Sequence, residues 1–482
     1  MPATARPMPA LLVLSLVAET LAAQIDYRLE YPDPAAGRVQ VSVRLHEPAA
    51  APQTLIMPRA IPMGYGEQHY DRFVDRVRAF AEDGTALEVH REEGPRWRLG
   101  GRGTRLARFA YEVDVGAMER RILDASDASK FRPGYLGLLG YSVFGFLEGS
   151  ERRSVELTVA GPARWPVYLT LAPRASPATS SATARAVDFY ALADSQILLG
   201  PAVRLSRIGT RPPLYLAVYA EGPVDAEATG RLAREAFERV VDYFGAGPLA
   251  HYTVHLELLR PLTAEHSYGF SMEHLESGTF FLSAAAGITA ASTPDEQSRF
   301  RFNLAHHMAH AWIPKRGYGE GYFPFQWELA PLIDTIWFAE GFGQYAAIAA
   351  LTNPLPAPES ERARREMTGR RFGARLEAEP LFLRRLSLIE LSRVASTRYS
   401  ADFRTGQAVF ARGGMMAAEM DDRIREATRG LRSLRDALRY VVAWTAKSGR
   451  GFRPDELPGL VKAATGVDVD GVYRRWIAPR EK

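Results

Sequence analysis

The sequence predicts an α+β protein with three successive regions: a β-sandwich-like region, a mixed α/β core and a helical C-terminal region. Runs in which apolar and polar residues alternate, such as "RVQVSVRLH" and "ERRSVELTVAG", fill the chain from residue 24 to residue 206. This alternation is typical of strands that bury one face, and clusters of Pro, Gly and Asp separate the runs. From residue 306 onward the apolar residues recur mostly at helical spacing.

The first 23 residues, "MPATARPMPALLVLSLVAETLAA", have the pattern of a cleavable secretory signal. One early Arg precedes an apolar run, and small residues stand at Ala22 and Ala23. The run is too short for a membrane span, which needs about 20 apolar residues. We therefore predict that residues 1–23 form a signal peptide, that the mature chain has no transmembrane span, and that the protein is exported to the periplasm or the extracellular space.

Three further segments define the predicted order of domains. "PLYLAVYAEGPVD" indicates a strand and a turn, "AEATGRLAREAFERVVDYFG" indicates a helix that stops at Gly245, and "HYTVHLELL" indicates another strand. We predict an N-terminal β domain at residues 24–206, an α/β domain at 207–350 and a helical C-terminal domain at 351–482.

Composition excludes several classes of protein. Of the 482 residues, 46% are hydrophobic and 24% are charged, which is ordinary for a globular protein. The net charge is +4, and the Arg residues are spread along the chain, so we predict no nucleic-acid partner. The chain has no Cys, so it tolerates an oxidising compartment without disulfides.

The segment "FNLAHHMAHAW", residues 302–312, contains three His within five positions. On a helix, His306 and His310 lie about 40° apart on one face and can point at one metal ion. His307 lies about 100° from His306, the position of the general base in H-E-x-x-H enzymes. Two alternatives remain open: His307 and His310 form the pair, or the three His form a buried cluster without metal.

Two flanking segments favour a metal site. "IWFAEGFGQYAA" indicates a second helix whose Glu340 can turn toward the same ion, and two His with one Glu form the open site of a catalytic zinc. "SYGFSMEHLESGTFFL" places Glu273 and His274 on a predicted edge strand. An acidic group beside such a site can hold the free α-amino group of a peptide. Taken on its own, Glu273 would more often be an exposed strand carboxylate.

Three motifs, "YGFSMEH", "HHMAHAWIPKR" and "WFAEGFGQY", resemble in their order and spacing the glycyl aminopeptidase family of gluzincin metallopeptidases. The resemblance covers nearly all of the mature chain and implies a thermolysin-like fold for residues 207–350. Many members of that family carry a C-terminal PDZ domain, and we expect none here because no room for one follows the helical region.

The resemblance also assigns residues. In the family the second zinc-binding His is followed by one residue and then Trp, which matches His310 here. His306, His310 and Glu340 then correspond to the Zn2+ ligands, His307 to the catalytic base and Glu273 to the residue that reads the substrate's N-terminus.

This chain departs from the family pattern at two positions. His307 replaces the Glu base; imidazole is a competent base near neutral pH, but it has a shorter reach and competes for the zinc. Phe410, in "GQAVFARGGMMAAEMDD", matches a family Tyr that stabilises the reaction intermediate, and Phe has no donor. Tyr399 could supply a hydroxyl from elsewhere, and Glu320 or Glu328 could supply a new base.

Three hypotheses follow. The first is an exported zinc aminopeptidase with weakened or altered catalysis, in which His307 and Glu273 are catalytic and Glu273 and His274 bind a peptide with a free N-terminus. The second is an inactive pseudopeptidase that binds peptides or a protein partner. The third is a structural His cluster without metal.

Overall fold

The computed structural model describes residues 24–62, 64–174, 178–247, 249–398 and 402–481, and the chain has the predicted α+β organisation with a helical C-terminal region. The predicted signal peptide and Tyr399 lie outside these residues. Within them, no helix combines the length and the apolar character needed to cross a membrane.

The N-terminal region consists mainly of strands. Their bounds are β1 Ile25–Glu30, β2 Arg38–Ala50, β3 Gln53–Ile56, β4 Val74–Phe80, β5 Ala86–Leu87, β6 Val89–Arg91, β7 Arg96–Leu99, β8 Arg105–Asp114, β9 Lys130–Arg132, β10 Tyr135–Leu139, β11 Phe146–Leu147, β12 Val155–Ala160, β13 Pro166–Leu169, β14 Ala178–Thr179, β15 Ser181–Ala186 and β16 Gln196–Leu199. The short helices among them are α1 Val115–Arg121, α2 Gly140–Val143 and α3 Phe189–Ala193, with 3-10 turns at Tyr70–Phe73 and Ala125–Asp127.

These strands form three sheets around one hydrophobic core. The orders are β15-β12-β1-β2-β8-β4-β5, β14-β13-β16-β10-β9 and β11-β3-β7-β6. β2 shows why the segment folds this way: Val39, Val41 and Val43 are buried, and the residues between them are not. Successive side chains of a strand point to opposite faces, so this alternation buries one face of the largest sheet.

The α/β region contains a fourth sheet. Its elements and those that follow are β17 Arg204–Thr210, β18 Pro213–Ala220, α4 Ala226–Phe244, β19 Tyr252–Leu259, β20 Phe270–Glu273, β21 Ser277–Ser283, a 3-10 turn Ala284–Ala286, α5 Pro294–Ala309, a π-helical turn Trp337–Phe342 and α6 Gly343–Thr352. The strand order is β17-β18-β19-β21-β20. β18, β19 and β21 run parallel, whereas β20 is antiparallel to β21 and lies at the edge. As predicted, α4 ends just before Gly245, whose φ of 94° suits a residue without a side chain.

The C-terminal region is helical. Its elements are α7 Ala357–Thr368, a π-helical turn Gly369–Gly373, α8 Ala374–Glu377, α9 Leu381–Arg384, α10 Leu388–Arg398, α11 Phe403–Ala427, α12 Leu434–Ser448, a 3-10 turn Pro454–Glu456, α13 Leu457–Thr465 and α14 Asp470–Ile477.

The helical region and the α/β region share one hydrophobic core. The ring of Phe338, on the π-helical turn, lies 4.9 Å from that of Phe452. The boundary expected after residue 206 lies inside β17, and the one expected after residue 350 lies inside α6. The sequence pattern changes near residue 350, but the hydrophobic core continues across it. Residues before and after this position pack into one core.

Candidate metal centre

Helix α5 and the residue that caps its C-terminus, His310, present the three His predicted to surround a metal. Its start is fixed by a capping box, in which the Thr293 hydroxyl accepts from the Glu296 backbone N–H and the Glu296 carboxylate accepts from that of Thr293. His306 and His310 are buried, and their ring centroids lie 4.4 Å apart. Residues four apart share a helix face, so both rings point the same way.

Glu340 reaches this pair from the π-helical turn Trp337–Phe342. Its Oε2 lies 3.5 Å from His306 Nε2 and 3.7 Å from His310 Nε2. A π-helical turn locally widens a helix and is frequent at functional sites. Here it carries the carboxylate that lies between the two imidazoles.

Glycines allow this turn to approach the helices around it. A Cβ on Gly341 would lie 2.4 Å from the carbonyl carbon of Gly413 in α11, closer than side chains ever come to backbone. A Cβ on Gly343 would lie 3.1 Å from His310 Cε1. Because these positions lack side chains, the turn lies against α11 on one side and the His rings on the other.

The three side chains fit a zinc ion. Ligands placed tetrahedrally at about 2.0–2.2 Å from zinc lie about 3.3–3.6 Å from one another, close to the distances from Glu340 to the two His. Nε2 of His306 and of His310 are buried and have no hydrogen-bond partner among the described residues. His310 Nδ1 lies 2.9 Å from the carbonyl oxygen of Ile313. A ring that donates there keeps its Nε2 lone pair for a metal, the usual arrangement at such sites.

Burial sets the charge state of these groups. It lowers the pKa of His306 well below the usual value, and the charges of His310 and His307 lower it further, so the ring is neutral as a metal ligand requires. Burial also raises the pKa of Glu340 to about 7, despite the nearby His310. A divalent cation would reverse that effect and hold the carboxylate ionised.

His307 faces Glu273, which lies at the end of edge strand β20. His307 Nδ1 is 3.5 Å from Glu273 Oε2, and the ring meets Phe280 edge-on with centroids 5.5 Å apart. Burial raises the pKa of Glu273, but His310 and His307 more than offset it and bring the value to about 2. One ligand atom each of Glu273, His310 and Glu340 lie within 4.8 Å of one another, so this ionised carboxylate borders the metal centre.

The centre opens into a cleft of about 390 Å³ between the regions of the chain. His306, His307, Glu340 and Glu273 all line it. The other charged and aromatic residues in its wall are Tyr65, Asp124, Asp127, Tyr268, Phe270, Arg371, Arg375, Phe403 and Phe410. The cleft therefore has acidic, basic and aromatic surfaces.

Some residues singled out from the sequence lie elsewhere. His274 does not line the cleft; it is buried, and its Nδ1 lies 3.1 Å from the carboxylate of Asp194 in the N-terminal region. Glu320 is exposed, and Glu328 forms a bidentate ion pair with Arg96, with distances of 2.8 and 2.6 Å. Neither glutamate lines the cleft.

Phe410 lines the cleft, so the position matched to the family Tyr lies in the cleft wall without a hydroxyl. Tyrosine hydroxyls come instead from two residues that the sequence analysis did not identify. Tyr65 donates to Glu340 Oε1 over 2.9 Å, and the hydroxyl of Tyr322 lies 3.4 Å from that of Tyr65. The only local signal for Tyr65 is its position between two glycines, in "MGYGE".

Comparisons with known proteins agree with this architecture. Residues 26–201 match the family model of the Peptidase M61 N-terminal domain. An aminopeptidase N family protein from Idiomarina loihiensis has 18% identity and a TM-score of 0.81, with 95% of this chain and 76% of that chain covered. No curated protein sequence matches the chain.

An M1 zinc metallopeptidase from Deinococcus radiodurans gives TM-scores of 0.55 with bound Tyr-Ser-Ala substrate and 0.54 in another crystal structure. In both, identity is 16%, and 95% of this chain and 94% of that chain are covered. Identities this low establish a shared fold only. The N-terminal region is thus similar to the M61 N-terminal domain, and the chain as a whole has the fold of M1 aminopeptidase N-like metallopeptidases.

Proposed function

We propose that the protein is an exported, zinc-dependent aminopeptidase-like protein of the glycyl aminopeptidase type, with catalysis weakened or altered by His307. The observation that carries this proposal is the convergence of His306 Nε2, His310 Nε2 and Glu340 Oε2, with separations from the carboxylate of 3.5 and 3.7 Å. When bound there, a zinc ion would polarise a peptide carbonyl and lower the pKa of a water molecule to about 7.

Glu273 is the group that would hold the substrate's α-amino group. It borders the metal centre and lies in the cleft wall. It also terminates β20, the edge strand, whose outer side pairs with no other strand of the described sheet. A free ammonium group placed there gains charge-assisted hydrogen bonds, whereas a blocked N-terminus loses them.

His307 would handle the proton in place of the family Glu. Its ring lies in the cleft wall beside the metal centre, and its Nδ1 faces Glu273. A proton taken by this imidazole would be shared with a carboxylate that is also needed for the substrate amine. This competition is the physical reason for expecting weak catalysis.

The second candidate function is peptide binding without hydrolysis. Phe410 favours it, because the aromatic ring lines the cleft at the position where the family places a Tyr donor. An oxyanion donor is worth about 10²–10³-fold in kcat, and a general base about 10²–10⁴-fold. A site that lacks both retains its shape and its charges for binding.

A metal-free structural cluster is the least favoured candidate. It would leave Nε2 of His306 and of His310 buried without partners, and each such atom costs about 1–3 kcal/mol. A metal ligated by these atoms removes that cost.

The test of zinc binding is the metal content of purified protein, measured by mass spectrometry. Wild type should hold one zinc ion per chain, and His310→Ala and Glu340→Gln should lose it. His90→Ala, on an exposed strand of the N-terminal region, is the matched control and should retain it. Zinc retained by His310→Ala would rule the site out.

The test of peptide recognition compares Ala-Ala-Ala with its acetylated form, by hydrolysis and by calorimetric binding to zinc-loaded protein. Preference for the free N-terminus, with or without cleavage, supports the proposal, and cleavage separates the two candidate functions. Equal handling of both peptides would contradict it. Export is tested separately, because the purified mature protein should begin near Gln24.

A further inference from the structure

The cleft beside the metal centre has basic residues on the C-terminal helical region, opposite in charge to Glu273. Arg371 belongs to the π-helical turn Gly369–Gly373, and Arg375 follows four positions later in α8. Both line the cleft. Residues four apart lie on one helical face, so the two guanidinium groups present their charge on the same side.

Arg371 is held in a defined orientation. Its Nε donates to Gln344 Oε1 over 3.0 Å, and its guanidinium lies 4.5 Å from the centre of the Phe302 ring. Gln344 lines the same cleft. Arg375 lies 5.9 Å from the ring of Phe410, another residue of the wall. A planar guanidinium fixed in this way is suited to bidentate recognition of a carboxylate.

The basic and acidic residues of the cleft lie on different elements. Arg371 and Arg375 belong to the C-terminal helical region. The acidic side of the cleft belongs to other elements, since the turn at Asp124 forms a bridge with Ser267, just before strand β20 that ends in Glu273. The cleft is therefore acidic on the β20 side and basic on the helical side.

The volume of the cleft suits a short ligand. Its volume of about 390 Å³ lies near the lower end of the range of about 300–1,000 Å³ for ligand pockets. A zwitterion of two or three residues carries a positive and a negative end in such a volume.

We infer that Arg371 and Arg375 bind the C-terminal carboxylate of the substrate, so that the cleft selects dipeptides and tripeptides rather than the N-terminus of a long chain. This inference rests on the proposed function, because it takes the α-amino group to lie at Glu273. It adds the substrate class: short peptides with both ends free.

The experiment measures binding of three probes to zinc-loaded protein by calorimetry: Ala-Ala-Ala, Ala-Ala-Ala amide and Ala-Asp-Ala amide. Wild type should bind the free acid about 10–100-fold more tightly than the amide, the range for a charge-assisted hydrogen bond to a carboxylate. Arg371→Gln and Arg375→Gln should each reduce that preference and retain zinc. Two variants are used because Arg371 also contacts Gln344 and Phe302.

Arg370→Gln is the matched control, since Arg370 lies on the same turn, is exposed and pairs with Glu366 outside the cleft. It should preserve the wild-type preference. Equal binding of the free acid and the amide by wild type would overturn the inference and leave the proposed function standing. Tight binding of Ala-Asp-Ala amide would also overturn it, because the arginines would then read an acidic side chain. If no peptide with a free N-terminus binds or is cleaved, the proposed function itself fails and this inference with it.

Discussion

His307 lies where a carboxylate would be expected, one position after a candidate zinc ligand. Its Nδ1 faces Glu273 at 3.5 Å, and its ring lies 4.7 Å from that of His306. An imidazole there has two competitors for its lone pair, a proton and a metal ion. Under the proposed function, the chemistry of this side chain and of Phe410 bears on whether the site hydrolyses peptides or only binds them.

Replacing His307 with Glu should raise aminopeptidase activity. A carboxylate at this position would accept a proton next to the metal and would compete less strongly than an imidazole for the metal ion. General-base catalysis predicts a gain in kcat of about 10²-fold or more. His307→Gln is the control, since it removes the base and keeps the size. Rates on Ala-Ala-Ala, with zinc content measured in parallel, check the result.

The gain could require Phe410→Tyr in the same chain, because the two groups act on one transition state and their effects need not add. The opposite outcome is also informative. A wild-type protein that already cleaves well, and that His307→Glu slows, would identify His307 as a working base.

Glu273→Gln tests recognition of the N-terminus. The amide keeps the shape of the side chain and removes the charge that holds an ammonium group, so preference for Ala-Ala-Ala over its acetylated form should fall by about 10-fold or more. Calorimetry with both peptides measures this change. Asp124→Gln would not serve as a control because it also lines the cleft; Glu276→Gln, just beyond His274 and outside the cleft lining, should leave the preference intact.

Sequence spacing predicted that His306 and His310 share a helix face, since a four-residue interval fixes that face. Glu340 was assigned to the same site by the family resemblance. Spacing could not show whether Glu273 or His274 faces the cleft. Adjacent residues of an extended chain point to opposite sides, and in the structure Glu273 is the one that lines the cleft. Spacing could not identify Tyr65 either, since its partner Glu340 lies 275 positions away. Contacts over such separations depend on how regions pack.

At the scale of elements, the π-helical turn that carries Glu340 is the feature that sequence periodicity misses. The segment predicts an ordinary helix, whereas in the structure it forms a π-helical turn that lies against α11. The sequence does contain the glycines that allow this close packing, because Gly341 and Gly413 lie in contact between the π-helical turn and α11. A sequence shows the glycines but not which of them meet.

Gly341→Ala should therefore disturb both stability and metal binding. The added methyl group would lie 2.4 Å from backbone, and such overpacking costs about 1–3 kcal/mol. Thermal unfolding should shift downward, and zinc affinity should fall because Glu340 is displaced. Gly459→Ala is the matched control: this exposed helical glycine has open space around it, and alanine there should stabilise by about 0.5–1 kcal/mol. Equal effects of the two substitutions on thermal unfolding and zinc affinity would contradict the close contact of Gly341 with Gly413.

At the scale of the whole molecule, a buried polar cluster joins the N-terminal region to the sheet of the α/β region. The Tyr135 hydroxyl, on β10, donates to Glu257 on β19 and lies 3.0 Å from His255 Nε2. Burial raises the pKa of Glu257 to about 7, although the charge of Lys130 opposes this. The carboxyl group is therefore protonated in the folded protein at mildly acidic pH.

This shift predicts how stability depends on pH. The unfolded carboxyl ionises near pH 4.3, so between about pH 4.3 and 7 the unfolded state releases its proton first and the folded protein loses up to about 3 kcal/mol of stability. Glu257→Gln cannot ionise. The difference in melting temperature, variant minus wild type, should grow in favour of the variant from pH 5 to pH 8. A difference independent of pH would contradict this, and Glu93→Gln, on an exposed loop, provides the control.

The fold class was predictable from sequence because burial patterns along β2, α4 and β19 are local. The sharing of one core between the α/β region and the C-terminal helices was not, since it depends on contacts such as Phe338 with Phe452. The order of the strands within the sheets was equally hidden, because β1 pairs with β12 across more than a hundred residues.

The hydrogen bond from Tyr65 to Glu340 also links two equilibria. Tyr65 belongs to the N-terminal region and Glu340 to the candidate metal centre. If zinc holds Glu340 ionised, it strengthens the acceptor of this bond, so metal retention and docking of the N-terminal region favour each other by the same factor. The strand-rich region is then a part of the metal site's support, and the α/β and helical regions without it would hold a metal ion less tightly.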